Sequence, residues 1–217
     1  MQLYFAPGAC SFVPHAMLED SGLPFEPVMV KLHKGEQNAE PFLRLNSRGQ
    51  VPVLVQNGVA LNQIVALCLH IDALCPERGF LPGEPIARSQ ALSNLAWMNN
   101  TVHPTFTHVF MPQKYHPEAS VQEPIRQFAV AQYGRLLDEL QQLIQNAQSS
   151  GQAWLSGTQW GPLDVYALTL TRWGSIAGHD PVARATLWAH VQKVAEDRKS
   201  TRLNSSHVSE SRMPSSA

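Results

Sequence analysis

The sequence predicts two domains of different fold class, an N-terminal α/β domain followed by an all-α domain. Over residues 1–76, short apolar and β-branched runs alternate with helical patterns, as in a small α/β sheet. A segment dense in proline and glycine follows at residues 77–85 and predicts a linker. Over residues 86–196, amphipathic helical patterns alone remain. We therefore expect an all-α helical bundle over residues 86–196.

The chain opens with a predicted strand–helix–strand unit. An apolar run over Gln2–Phe5 predicts the first strand, and a Pro-Gly turn leads into a helix over Cys10–Ser21. Gly22 is placed to end that helix. The run Phe25–Leu32 alternates and is β-branched, so it predicts a second strand, which the helical crossover makes parallel to the first.

A second group of elements completes the first domain. A short helix is predicted around Glu40–Leu45, and Val51–Val55 predicts the third strand. Asn57-Gly58 is a strong hairpin signal, so Val59–Leu61 is expected to be a fourth, antiparallel strand. Apolar spacing predicts a last helix over Gln63–Leu74. The order βαβ-α-ββα is the thioredoxin-like arrangement.

Two residues of this domain are candidates for chemistry. Cys10 lies near the predicted helix N-terminus, where unpaired amides and the helix dipole are expected to lower the pKa of its thiol. The alternative is a small residue that fills a tight turn. Pro52 stands at the first position of a strand, where a cis peptide bond is compatible with the sheet, although an ordinary trans edge proline fits equally well.

The second domain is predicted to consist of four helical stretches. Ile86–Met111 is the first, and Pro104 is expected to kink it. The other three predicted helices are Pro124–Gln148, Gly161–Ser175 and Val182–Glu196.

Composition excludes several functional classes. The net charge of −1 gives no basic surface for nucleic acid, and no apolar run reaches the roughly 18–20 residues that span a bilayer. Three cysteines without a Cys-x-x-Cys motif exclude a dithiol redox centre and fit a reducing compartment, so we expect a cytoplasmic protein. The nine histidines do not have the spacing of a metal site, so no metal is expected.

The last 21 residues, 197–217, differ abruptly from the rest. They are rich in serine and lack apolar periodicity, so they are expected to be disordered. Codons permitted for Asp197–His207 resemble a common DNA-sequencing adapter read in one frame. We therefore expect a non-native tail and a native sequence that is cut off near Glu196.

Three segments resemble the soluble glutathione transferases, specifically their bacterial, cysteine-containing (beta-class) members. Tyr4–Ser11 resembles their N-terminal signature, and Asn46–Leu54 resembles their NPxGxVPxL segment. Trp154–Gly157, followed by Leu163–Ala167, resembles a motif of their sixth helix. The resemblance covers residues 1 to about 196 and implies an enzyme that uses glutathione as co-substrate to attack a small hydrophobic electrophile. It also implies a homodimer.

The resemblance also implies roles for individual residues. Cys10 is expected to donate a hydrogen bond to the glutathione sulfur or to form a mixed disulfide with it. His103 is expected to donate a hydrogen bond to the glutathione thiolate or to assist Cys10. A capping or interfacial His103 is the alternative. The remaining implied glutathione-binding residues are Gln50, Val51, Pro52, Gln63 and Ile64, with Pro52 in the cis form.

Ile64 is a departure from the family pattern. The family usually has serine or another small residue there, so this chain loses a hydroxyl that would bind the γ-glutamyl carboxylate, and a branched side chain is expected to crowd the site. A lost charge-assisted hydrogen bond costs roughly 1.5–3 kcal/mol. The sequence therefore leaves open a non-catalytic binding or interaction protein with the transferase fold. Isomerase or dehalogenase chemistry on the same scaffold also stays open.

Overall fold

The computed structural model describes residues 1–196, so the predicted non-native tail at 197–217 lies outside the described residues. The chain separates into two compact units. Among the described residues, the first comprises Met1–Phe80 together with Ala195 and Glu196, and the second comprises Leu81–Val194. A four-stranded mixed sheet with helices forms the first unit, and helices form the second. The predicted fold class, a thioredoxin-like domain followed by an all-α domain, is confirmed.

The sheet of the first unit has four short strands: β1 (Gln2–Phe5), β2 (Glu26–Met29), β3 (Val53–Gln56) and β4 (Val59–Asn62). Their order in the sheet is β2-β1-β3-β4. β1 and β2 are parallel, whereas β3 is antiparallel to both of its neighbours. The predicted parallel pairing of β1 with β2 and the predicted antiparallel pairing of β3 with β4 are therefore confirmed. Asn57 and Gly58 have φ values of 51° and 79°, which is the backbone twist that a tight two-residue hairpin requires.

Three helices accompany this sheet: α1 (Phe12–Ser21), α2 (Glu40–Leu43) and α3 (Ile64–Leu74). α1 begins two residues later than predicted, so Cys10 lies in the preceding turn rather than inside the helix. Gly22 ends α1 in the left-handed conformation, with φ 73°, as predicted. α1 and α3 pack against each other. Fully buried side chains of this unit include Leu3, Phe12, Val13, Met17, Leu54, Leu67 and Ile71.

The second unit contains α4 (Pro85–Trp97), α5 (His103–Phe110), α6 (Ala119–Ser149), α7 (Pro162–Ile176) and all but the last two residues of α8 (Ala185–Glu196). Short 3-10 turns precede α6 and α8 at Pro112–Lys114 and Pro181–Ala183. Within residues 1–196, no helix is both long enough and apolar enough to cross a membrane.

The junction of α4 and α5 differs from the predicted kinked helix. Met98–Val102 forms a π-helical segment, and the N–H of His103 donates to the carbonyl of Met98, five residues earlier. Pro104 has no N–H, and in a regular α-helix its ring would crowd the carbonyl of Asn100, so the chain widens its turn before the proline. The distortion therefore precedes Pro104.

α6 also begins earlier than predicted. The predicted helix started at Pro124, but the observed helix starts at Ala119 and contains Pro124 in its second turn. Near the start of a helix, proline removes few backbone hydrogen bonds, so the helix continues through it.

Candidate active site

Three segments of the first unit meet at one end of the sheet. Tyr4 pairs with Val53, and Val53 pairs with Asn62. The loop after β1, the residues before β3 and the residues after β4 therefore leave the sheet at the same end. Cys10 lies in the first segment, Val51 and Pro52 in the second, and Gln63 and Ile64 in the third. The sheet register thus brings most of the sequence-predicted site residues to this end of the sheet.

The loop after β1 holds Cys10 against Val51. Cys10 is 8% exposed, and its thiol donates to the carbonyl oxygen of Val51 with an Sγ–O distance of 3.8 Å. The neighbouring Ser11 is fully buried; its hydroxyl donates to the carbonyl of Ala6 (3.2 Å) and accepts from the N–H of Ala6 (3.1 Å). Ser11 therefore closes the loop and fixes the position of Cys10. The sequence prediction did not assign this role to Ser11.

The predicted lowering of the Cys10 pKa is wrong. Burial raises the pKa of the Cys10 thiol to about 12, and this effect outweighs the backbone N–H groups of Cys10 and Ser11, which lower it. α1 begins only at Phe12. The proximity of a helix N-terminus does not compensate for the loss of solvent, so Cys10 is a neutral thiol at physiological pH.

The Val51–Pro52 peptide bond is cis, as the family resemblance implies. Within residues 1–196, the N–H of Val51 has no hydrogen-bond acceptor, while its carbonyl accepts from Cys10. The preceding residue, Gln50, is fixed through its carbonyl, which accepts from Asn46 Nδ2 at 2.7 Å. Val51 therefore presents an unused backbone donor beside the thiol.

Gln63 has a backbone conformation that is rare for a residue with a side chain. Its φ of 75° and ψ of 124° lie outside the ordinary regions, which costs about 1–3 kcal/mol. Its carbonyl accepts from Leu67 at 3.0 Å and begins α3. Ile64, the first residue of α3, is 3% exposed, so its branched side chain is packed inside the protein. The Ile64 N–H stands where α3 supplies no acceptor.

His103 belongs to the second unit, where it is the first residue of α5. Its Nδ1 lies 2.7 Å from the hydroxyl of Tyr166, and its ring packs edge-on against Trp173 with centroids 4.8 Å apart. Burial of the ring lowers the pKa of His103 to about 4, so the imidazole is neutral at physiological pH. The sequence prediction missed Tyr166, although a buried tyrosine on an apolar helix needs a partner for its hydroxyl.

No metal centre is evident in the part of the chain that the structure describes. Residues 1–196 contain no group of three or more histidine, cysteine or acidic side chains placed to hold an ion.

A family model and a curated relative with similar sequence both identify glutathione S-transferases as similar to this chain. Residues 1–73 match the family described as "Glutathione S-transferase, N-terminal domain". Glutathione S-transferase GST-4.5 of Xanthomonas campestris pv. campestris is 33% identical over 199 residues, which cover 91% of this chain and 94% of that protein.

Two solved structures are similar over almost their whole length. A glutathione transferase homologue from Sulfitobacter, with bound glutathione, has a TM-score of 0.86 at 22% identity, covering 94% of this chain and 97% of its own; this likeness concerns the fold. A sphingomonad glutathione S-transferase complexed with glutathione has a TM-score of 0.81 at 26% identity, covering 96% of this chain and 99% of its own.

Proposed function

The chain belongs to the glutathione S-transferase family, and from this premise we propose that it joins the sulfur of glutathione to small hydrophobic electrophiles. The unpaired N–H of Val51 beside the Cys10 thiol carries this proposal. In the reaction, the glutathione thiol gives its proton to solvent water, the thiolate attacks an electrophilic carbon, a C–S bond forms, and the leaving group departs with its electron pair.

The backbone of Val51 fits the cysteinyl part of an extended tripeptide. Its N–H is unpaired, and its carbonyl accepts only the weak S–H donor of Cys10 among residues 1–196. A short antiparallel pairing between Val51 and the ligand supplies two main-chain hydrogen bonds. Such pairing puts the ligand's sulfur near Cys10 in our proposal.

Gln63 and Ile64 are the proposed contacts for the γ-glutamyl end of glutathione. Strained backbone conformations cluster at functional sites, and the φ of 75° at Gln63 supports a binding role for this position. The N–H of Ile64 retains the backbone part of the recognition that a serine provides in the family, without the hydroxyl. Because the Ile64 side chain is buried, we propose that it does not compete with the ligand for this space.

Cys10 is proposed to act as a hydrogen-bond donor rather than as a nucleophile. Thiol–disulfide exchange requires the thiolate form of the attacking sulfur. With its pKa raised to about 12 by burial, Cys10 keeps its proton and can donate S–H to a glutathione thiolate. Conjugation is therefore favoured over disulfide exchange for this chain.

The remaining proposals rest on the family alone. We propose that His103 supplies a further hydrogen bond to the reaction, that the protein is a beta-class member, that it forms a homodimer, and that it works in the cytoplasm. Sedimentation of the purified protein tests the dimer, and a monomer at micromolar concentration would contradict it.

The proposed function is tested by retention on immobilised glutathione, conjugation of a chlorodinitrobenzene, and reduction of a glutathione mixed disulfide. We expect retention and conjugation in the wild type. Cys10→Ala should lower kcat/KM for conjugation by roughly tenfold or more, as for one hydrogen bond to a charged group, and Cys10→Ser should retain most of it.

Cys75→Ala is the matched control. Cys75 is buried in the same unit, and its thiol also donates to a backbone carbonyl, that of Ile71 at 3.0 Å. Its loss should leave kcat/KM unchanged. If the wild type shows neither retention nor turnover in either assay, the transferase proposal is wrong and the non-catalytic binding protein replaces it. Disulfide reduction without conjugation would instead make Cys10 a nucleophile.

A further inference from the structure

The side chains of His103, Tyr166 and Asn99 form a polar cluster within the second unit, with the Tyr166 hydroxyl between the other two. The hydroxyl of Tyr166 lies 2.7 Å from His103 Nδ1 and 3.4 Å from Asn99 Oδ1. Asn99 and His103 are four residues apart, so both can face the same residue of a neighbouring helix. Tyr166 is fully buried in α7. Its hydroxyl therefore has a fixed position between the two groups.

From this geometry we propose that Tyr166 is a positioning residue that holds His103 in the Nε2–H tautomer, with Nδ1 as the acceptor of the Tyr166 hydroxyl. A hydroxyl has one proton to donate, and of these two acceptors His103 Nδ1 is much closer than Asn99 Oδ1. The distance to Asn99 exceeds the range of 2.5–3.0 Å of ordinary O–H···O bonds, whereas the distance to His103 is that of a good hydrogen bond. The proton of the hydroxyl thus lies toward His103.

The tautomer follows from this assignment. A neutral imidazole carries one N–H, and the hydrogen bond at one ring nitrogen decides which nitrogen is protonated. If Nδ1 accepts from Tyr166, the ring proton is on Nε2. Within residues 1–196, Nε2 of His103 takes no hydrogen bond. It is therefore available as a donor and not as a base.

Asn99 is oriented by its own neighbour. Its Nδ2 donates to Asn100 Oδ1 at 2.8 Å, which turns Oδ1 toward Tyr166. In the opposite arrangement, His103 Nδ1–H would donate to the hydroxyl oxygen and Tyr166 would donate to Asn99. Nε2 would then be an acceptor, suited to a general base. The two arrangements make opposite statements about the chemistry of His103.

The catalytic consequence rests on the proposed function. In the Nε2–H tautomer, His103 can stabilise an anionic sulfur by hydrogen bonding but cannot remove a proton from a thiol through that nitrogen. The tautomer itself is a property of the protein without glutathione and can be measured independently.

The test is NMR of the full chain labelled with ¹⁵N and ¹³C histidine, without glutathione, at neutral pH. His103→Gln assigns the His103 signals by their disappearance. We expect the Nε2–H tautomer in the wild type and a mixture of tautomers in Tyr166→Phe, which keeps the ring and removes the hydroxyl. Asn99→Ala should leave the tautomer unchanged. An Nδ1–H tautomer in the wild type, or a wild-type spectrum in Tyr166→Phe, would overturn the proposal.

Tyr133→Phe is the matched control. Tyr133 is also fully buried in the second unit, but its hydroxyl donates to the carbonyl of Leu170 at 2.8 Å. Tyr133→Phe should therefore leave the His103 signals unchanged. For conjugation, Tyr166→Phe should lower kcat by about tenfold or less, with KM for glutathione unchanged, while Tyr133→Phe should leave kcat unchanged. A wild type without conjugating activity would defeat the proposed function, whereas the NMR result alone decides the tautomer.

Discussion

Two polar clusters of this protein, one at the end of the sheet and one in the second unit, use their hydrogen-bonding groups in opposite ways. At the end of the sheet, the thiol of Cys10 is buried and contacts the carbonyl of Val51. The N–H of Val51 has no acceptor among residues 1–196, and Gln63 has a strained backbone. In the second unit, the fully buried Asp164 accepts hydrogen bonds from Leu155 N–H (2.8 Å), Ser156 N–H (3.1 Å), Gly161 N–H (3.0 Å) and His190 Nε2 (2.8 Å).

The difference separates a cluster that stabilises the fold from one that is suited to binding a ligand. The Asp164 cluster satisfies the N-terminus of α7 and the preceding loop, so its hydrogen bonds stabilise the fold. At the end of the sheet, the half-buried Val51 keeps an N–H without an acceptor among residues 1–196, and the exposed Gln63 keeps a strained backbone. Backbone strain lowers stability and is typical of sites that bind a ligand. Both clusters lie near a helix N-terminus, so proximity to a helix end does not by itself decide whether a polar group is fully hydrogen-bonded.

The largest effect is expected from Asp164→Ala. It leaves three backbone N–H groups and His190 without their acceptor in a buried place, so the free energy of unfolding should fall by about 3 kcal/mol or more. Urea denaturation followed by fluorescence measures this change. Glu123→Ala, which removes an exposed carboxylate of the same unit, should leave the midpoint unchanged. Equal stability of the two variants would contradict the role given to Asp164.

A smaller effect is expected at Gln63, from the pair Gln63→Gly and Gln63→Ala. Both remove the side chain and should weaken glutathione binding alike, but glycine tolerates a φ of 75° and alanine does not. Gln63→Gly should therefore be more stable than Gln63→Ala by about 1 kcal/mol. Thermal unfolding of the two variants measures the difference. If they unfold at the same temperature, the backbone of Gln63 is not strained.

The smallest effect is expected in the reactivity of Cys10 near neutral pH. Because burial raises its pKa to about 12, the thiol form persists as pH rises past the value of about 8.5 for a free cysteine. Alkylation of Cys10 by iodoacetamide should therefore be slow at neutral pH, and its rate should still be rising above pH values of about 8.5. Mass spectrometry of the peptide that contains Cys10 measures this rate. A cysteine in a short peptide serves as the reference. A plateau below pH 8.5 would restore the lowered pKa that the sequence predicted.

The comparison also shows which features the sequence could predict. The Asn-Gly hairpin, the glycine that ends α1, the parallel pairing of β1 with β2 and the antiparallel pairing of β3 with β4 follow from local patterns, and the structure has them. The start of α6 and the π-helical segment before Pro104 were not predicted, because a proline restricts a helix differently according to its position and its neighbours.

The sequence by itself determined the two-domain fold class, because apolar periodicity and turn residues act over short distances. Its resemblance to a known family indicated most of the residues that meet at the end of the sheet. The tertiary structure alone decided how those residues behave. Burial from all sides raised the pKa of Cys10, the fold imposed the backbone of Gln63, and Tyr166, 63 residues away in the chain, reached the imidazole of His103. Solvent exclusion and contacts between distant segments have no local pattern, so they arise only when the chain is folded.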